Sequence, residues 1–248
     1  MALSRGTINE FLEWAARVPH GEARTVREQI SLADKEGRGG DLAAGLFAAL
    51  DERPVPDFGR HLVLLATIGA LRDARALPRL EAFVWSEEPM FPPPNQAGGD
   101  ATSTGDAKSL LNFRMALQAR AAEMLSYLAT DEARRATLRI AADHPERPVR
   151  AAAIDAHLYN QGDTAEAVRE VLSVVRPEDA KLVGLPRLTA GMSAAEFDRR
   201  VNAFYDQYPE ERPPLPERGP GPGERPRTPP PRERGGASSP EEAGPDVQ

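Results

Sequence analysis

Four histidines, His20, His61, His144 and His157, are the residues best suited to bind a metal or to move a proton near neutral pH. Their spacing serves neither purpose. No HExxH or HxH arrangement occurs, and His144 and His157 stand 13 positions apart with Asp143 beside the first. They read as loop and surface histidines; a metal site assembled from distant segments is the alternative. Asp143, His144 and Tyr159 are the one cluster that acid/base chemistry could use. Asp57-Phe58-Gly59 matches the metal-binding tripeptide of protein kinases, but the glycine-rich loop, strand lysine and catalytic-loop signature are missing. The only lysines are Lys35, Lys108 and Lys181. Gly105-Asp106-Ala107-Lys108-Ser109 lacks the Gly-Lys-Ser adjacency of a phosphate loop, and no GxSxG elbow is present. With no cysteine, disulfides, thiolate metal sites and cysteine nucleophiles are excluded. The sequence therefore implies no catalytic residue, no cofactor and no metal.

Arginine carries more information. Arg75, Arg79, Arg134, Arg135, Arg139 and Arg169 fall on the second helices of successive helical pairs. At matching heights they would form a ridge suited to carboxylates or phosphates. The simpler reading is a solvated face balanced by Glu81, Glu132, Glu166 and Glu170. Trp85, followed by Met90 and Phe91, is either an anchor for a partner or packing beneath the segment that comes after it.

The elements that would carry these residues are helical. Ala, Leu, Arg and Glu dominate, and no run alternates in the manner of a strand. The spacing predicts helices at 7–18, 23–35, 42–51, 60–71, 75–86, 109–128, 131–142, 148–159, 164–176 and 194–208. Thr7 with Glu10, Asp163 with Glu166 and Ser193 with Glu196 have capping-box spacing, Asp41 can cap the third helix, and Pro148 suits a first turn. Phe197, Val201, Phe204, Tyr205 and Tyr208 make one apolar stripe on the last helix. Residues 89–108 read as an exposed, inserted loop.

The chain has 248 residues and a net charge of −7. Of its 24 prolines, 11 lie in the last 37 residues, where six arginines balance six acids. That tail, 212–248, lacks the apolar residues needed to offset ordering and is expected to be disordered. The domain, 1–211, then carries the whole negative charge. Phosphate neutralisation supplies most nucleic-acid affinity, so an acidic body argues against a DNA or RNA partner. The first residues lack the apolar core of a signal peptide, and the longest apolar run, 62–71, is half a membrane span. A soluble, cytoplasmic protein is expected.

Two stretches align 30 positions apart, Arg120 to Leu128 with Arg150 to Leu158, and each is followed by a turn and a second helix. A third unit, 64–84, has the same plan, with Leu71 placed 57 positions before Leu128. Ile68-Gly-Ala-Leu-Arg-Asp-Ala-Arg-Ala-Leu-Pro-Arg-Leu80 resembles the core of a bacterial HEAT repeat, of the short type also found in phycobilin lyases. Pro148-Val149-Arg150-Ala151-Ala152-Ala153 resembles the opening of that family's first helix. The resemblance covers 60–86 and 115–176 and implies an all-α, right-handed α-solenoid of about four to five antiparallel hairpins. One hairpin cannot bury its own apolar face; a stack of three or more can. The implied function is a non-catalytic scaffold or adaptor that binds another protein, one with an acidic surface if the arginine ridge is the contact. Arg75, Arg79, Arg134, Arg135, Arg139, Arg169 and Trp85 are the candidate contact residues. Pro213 to Arg218 in the tail could engage a polyproline-recognising domain. The resemblance also admits a lyase or isomerase acting on a tetrapyrrole, and a HEAT-type nucleic-acid module that the net charge disfavours.

Overall fold

A computed structural model describes residues 5–17, 39–52, 57–87, 107–189 and 191–212. The expected helix at 23–35, most of the 89–108 insertion and the tail from 213 lie outside the described residues. The chain divides into two units, 1–207 and 208–248. Of the second, the described part is a short 3-10 turn, Pro209–Glu211. The first unit holds the helices and all the candidate contact residues.

Every regular element among its described residues is helical: α1 Arg5–Arg17, α2 Gly39–Asp51, α3 Phe58–Leu71, α4 Leu77–Val84, α5 Ala107–Ser126, α6 Asp131–Asp143, α7 Arg147–Asn160, α8 Ala165–Leu172 and α9 Ala194–Gln207. Two 3-10 segments, Ala74–Ala76 and Pro177–Gly184, complete the set. Among the described residues no helix is long and apolar enough to cross a membrane.

Local chemistry sets the ends. Asp57 caps α3, its carboxylate accepting the Arg60 N–H at 2.6 Å. The Asp-Phe-Gly tripeptide is thus a helix start, with Phe58 packed on Phe113 at 4.8 Å between ring centroids. Thr130 caps α6 and Thr164 caps α8, each accepting the N–H three residues on. The expected cap of α8, Asp163, instead holds the left-handed turn before it, at φ 57°. Helix α1 begins at Arg5, ahead of Thr7, and α2 at Gly39, ahead of Asp41, so neither expected cap residue stands at its helix boundary. Ser193 accepts from the Glu196 N–H as its spacing predicts. Helix α8 stops at Leu172, four residues short of expectation, and the chain turns into the 3-10 segment at Pro177, a residue suited to a helix start.

Packing takes the form of two rows. In the first, α3 packs on α5, α5 on α7, and α7 on the 3-10 segment 177–184. The second row is α4, α6 and α8: α4 packs on α5, α6 on α5 and α7, and α8 on α7. Helices α1 and α2 pack on α3 and on each other.

The buried positions repeat from unit to unit. In the first row, His61, Leu64, Leu65, Thr67, Ile68 and Gly69 correspond to Gln118, Ala121, Ala122, Met124, Leu125 and Ser126 at a step of 57. A further step of 32 gives Arg150, Ala153, Ile154, Ala156, His157 and Leu158. In the second row, Ala76, Leu80, Phe83 and Val84 correspond to Ala133, Thr137, Ile140 and Ala141, and then Ala167 and Val171 come at a step of 34. The left-handed turn residues Arg72, Ala129 and Asp163 keep the same intervals. The sequence alignment at 30 residues is therefore two short. It matched alanines by identity, whereas the packing matches positions by depth.

Small residues set the spacing of the rows. A Cβ added at Gly69 would lie 3.0 Å from the Met124 Cβ, so α3 and α5 approach as closely as a glycine allows. Ala121, Ala122 and Ala153 are fully buried between first-row helices. Helix α9 buries Phe204 alone of its apolar stripe; Phe197, Val201 and Tyr205 remain half-exposed.

Candidate functional site

The candidate arginines lie along the second row, Arg75 in the 3-10 turn that leads into α4, and all but Arg169 are engaged with acids. Arg79 reaches from α4 back to Asp51 on α2 at 3.3 Å, with its guanidinium over the Phe47 ring. Arg139 on α6 pairs with Glu81 on α4, and Arg134 on α6 chelates Glu170 on α8 at 2.7 Å. One ion pair thus joins each second-row helix to the next. Arg75 pairs with Asp73 and holds that carboxylate below its usual range through their hydrogen bond. Arg135 pairs with Glu132 at 3.2 Å within α6, and Arg169 donates its Nε to the Ala165 carbonyl. Arg75, Arg79, Arg135, Arg139 and Arg169 remain exposed. Arg134 differs. Its partner Glu170 also touches His157 Nε2 at 3.1 Å, and His157 is buried. Burial pushes the His157 pKa down, against the upward pull of Glu170. Burial raises Glu170, and the hydrogen bonds and charges of Arg134 and His157 together more than reverse it, leaving the carboxylate below its usual range.

Trp85 is half-buried and lies against His144, ring centroids 5.1 Å apart. His144 sits in the core with its Nδ1 accepting the Glu146 N–H, so the proton is on Nε2, donated to the Val84 carbonyl at 3.1 Å. Its environment holds it neutral, chiefly through desolvation. The acid/base cluster does not assemble. His144 precedes the first turn of α7 and Tyr159 lies in the last turn of that helix, about 18 Å away along its axis.

First-row arginines are used differently. Arg150 is buried and salt-bridges Asp179, which has no exposed surface, at 2.6 Å; Arg147 reaches the other oxygen at 2.9 Å. Arg150 also donates to the His144 and Pro145 carbonyls, and Arg176 donates to the Ala142 and Asp143 carbonyls. Gln118, at the same position one unit earlier, donates to the Val84 and Ser86 carbonyls. Gln118, Arg150 and Arg176 thus satisfy carbonyls at or just past the ends of α4 and α6.

A cleft of about 220 Å³ opens between α5 and α7, lined by Glu123, Tyr127, Asp155, Ala156, Tyr159 and Asn160. Burial raises the Asp155 pKa, and Arg187 acts in the opposite direction at 2.9 Å. Sequence reasoning passed over this group. Its signal is Glu-x-x-x-Tyr across the end of α5 and Asp-x-x-x-Tyr in α7, 32 residues apart, which the 30-residue alignment places out of phase.

Among the described residues no group of three or more metal-ligating side chains comes together. The chain matches no family model, no curated protein and no solved structure.

Proposed function

We propose that the chain is a non-catalytic interaction scaffold, a right-handed α-solenoid of HEAT-like hairpins that holds an acidic protein partner along its second-helix row. The observation that supports this most is the recurrence of the same buried positions at steps of 57 and then 32 and 34 residues. Each unit buries its apolar face against its neighbours, which leaves extended rows of solvated helix as the surface available for binding. On that surface Arg75, Arg79, Arg135, Arg139 and Arg169 are exposed, and their pairs are of the surface kind, worth about 0–1 kcal/mol each. Carboxylates of a partner can replace them with little loss. Arg134 belongs to the framework with Glu170 and His157, and Trp85 borders the surface where α4 ends. The proposed setting is the cytoplasm. The tail, with its proline runs, is proposed as a disordered extension able to engage a polyproline-recognising domain.

The test is capture of partners from the native cell with the full chain, with Arg75→Glu/Arg135→Glu/Arg139→Glu, and with the chain cut after Glu211. An acidic partner is expected to be retained by the full chain and lost by the triple variant, while circular dichroism of that variant is unchanged. Identical partner sets from the full chain and the triple variant would overturn the proposal.

A further inference from the structure

The first-row cleft is a second feature, separate from the arginine row, and the inference drawn from it does not depend on that row. Glu123 and Asp155 are equivalent positions of consecutive units, 32 residues apart, and so are Tyr127 and Tyr159. In α7 the acid and the tyrosine are four residues apart, hence on one face, while Tyr127 stands in the turn just past the end of α5 and lines the same opening. The preceding unit has Ala66 and Ala70 at those positions, so the pairing belongs to α5 and α7. The two copies converge on one opening, joined by Asn160.

Apart from the two tyrosine hydroxyls, which can donate or accept, its hydrogen-bonding character is one-sided. Glu123 uses Oε2 to accept from Arg120 at 2.6 Å, and Asp155 uses Oδ1 to meet Arg187 at 2.9 Å. Asn160 directs its amide N–H groups to Ser126 Oγ and to the Ala156 carbonyl at 2.7 and 2.8 Å. Among the described residues, Glu123 Oε1, Asp155 Oδ2 and Asn160 Oδ1 are left without donors. The cleft therefore presents acceptors, flanked by two tyrosines, of which Tyr159 is 54% exposed. Arg120 and Arg187 balance part of the charge, so bare attraction for cations is weak, and donor geometry with ring stacking must select the ligand. A planar guanidinium with five N–H donors that stacks on aromatic faces meets both demands; an ammonium is drawn to a ring face only as a point charge and lacks the planar donor fork.

We propose that the Glu123/Tyr127/Asp155/Tyr159/Asn160 cleft is a receptor for an arginine side chain presented by a protein or peptide partner. The test uses three synthetic peptides, identical except for a central arginine, lysine or citrulline, titrated into the full chain with amide chemical shifts recorded. The arginine peptide is expected to shift Tyr127, Asp155, Tyr159 and Asn160, and to bind at least about fivefold more tightly than the other two. Glu123→Gln/Asp155→Asn is expected to abolish that preference. Tyr159→Ala, which removes a largely exposed ring without touching the Arg187 bridge, is expected to reduce it severalfold in a chain of unchanged melting temperature. Equal affinity for the arginine and lysine peptides, shifts spread over the surface instead of the cleft, or full binding by Tyr159→Ala would each overturn the proposal. Failure of the acidic-partner test leaves this result unaffected, because none of the three second-row arginines in that variant lines the cleft.

Discussion

The two rows of helices employ arginine in opposite ways. On the first row, Arg150 is withdrawn from solvent and directs its donors to a fully buried carboxylate and two backbone carbonyls. On the second, Arg135 and Arg139 lie more than half exposed against glutamates that are themselves in water or at its edge. The Coulomb attraction is similar in form, but the surrounding dielectric decides its consequence. A buried pair that loses one partner strands a desolvated charge, whereas an exposed pair that loses one partner exchanges it for water and salt. The first row therefore carries the pairs on which packing depends, and the second carries pairs whose loss costs little.

Asp179→Ala gives the sharpest break in that comparison. It leaves Arg150 buried without its counter-charge, and a loss of about 3–5 kcal/mol in urea unfolding is expected. Next comes Gly69→Val, which places two methyl groups where α3 meets Met124 of α5. Crowding of this kind costs about 1–3 kcal/mol, and Met124→Ala in the same chain should return part of it.

Acid probes the framework differently. His144 and His157 have folded pKa values below the ordinary histidine value of about 6.5, so in acid the unfolded chain takes up protons first. Their contribution is complete above about pH 6.5 and is lost as pH falls through the depressed folded values. Glu170, also depressed, extends the loss into the carboxylate range. Melting temperature measured from pH 8 to pH 4 should fall on the acid side, and His157→Gln should flatten the first part of the fall.

The smallest effect belongs to the second row. A double-mutant cycle on Glu81→Gln and Arg139→Gln should return a coupling of no more than about 1 kcal/mol, weakening further in high salt.

The helices were legible from the sequence because alanine-rich amphipathic runs and turn residues are local signals. Pro148 and Ser193 stand at helix starts as their types predict. The repeat was legible as a plan and misplaced by two residues. Identity aligned Arg120 with Arg150, yet Arg120 lies at the surface beside Glu123, and the buried equivalent of Arg150 is Gln118. A buried glutamine and a buried arginine share a task, donation to carbonyls at a helix end, that residue similarity does not reveal. Helix α8 ends early, and in the 3-10 segment that follows Asp179 enters the core to meet Arg150, a long-range contact absent from any local window. The candidate arginines were found as residues, but their pairing across helices depends on the stacking and could not be read from spacing alone. The same two-residue offset hid the acid and tyrosine pairs of the cleft.

The division of labour between the rows is tested most directly by urea denaturation of Arg150→Ala beside Arg75→Gln/Arg135→Gln/Arg139→Gln. The single first-row change leaves Asp179 buried and short of a partner, and a loss of about 3–5 kcal/mol is predicted for it. All three second-row changes together should lose less than about 2 kcal/mol. A triple variant destabilised as much as Arg150→Ala would mean that the second row is framework rather than free surface, and would contradict that division.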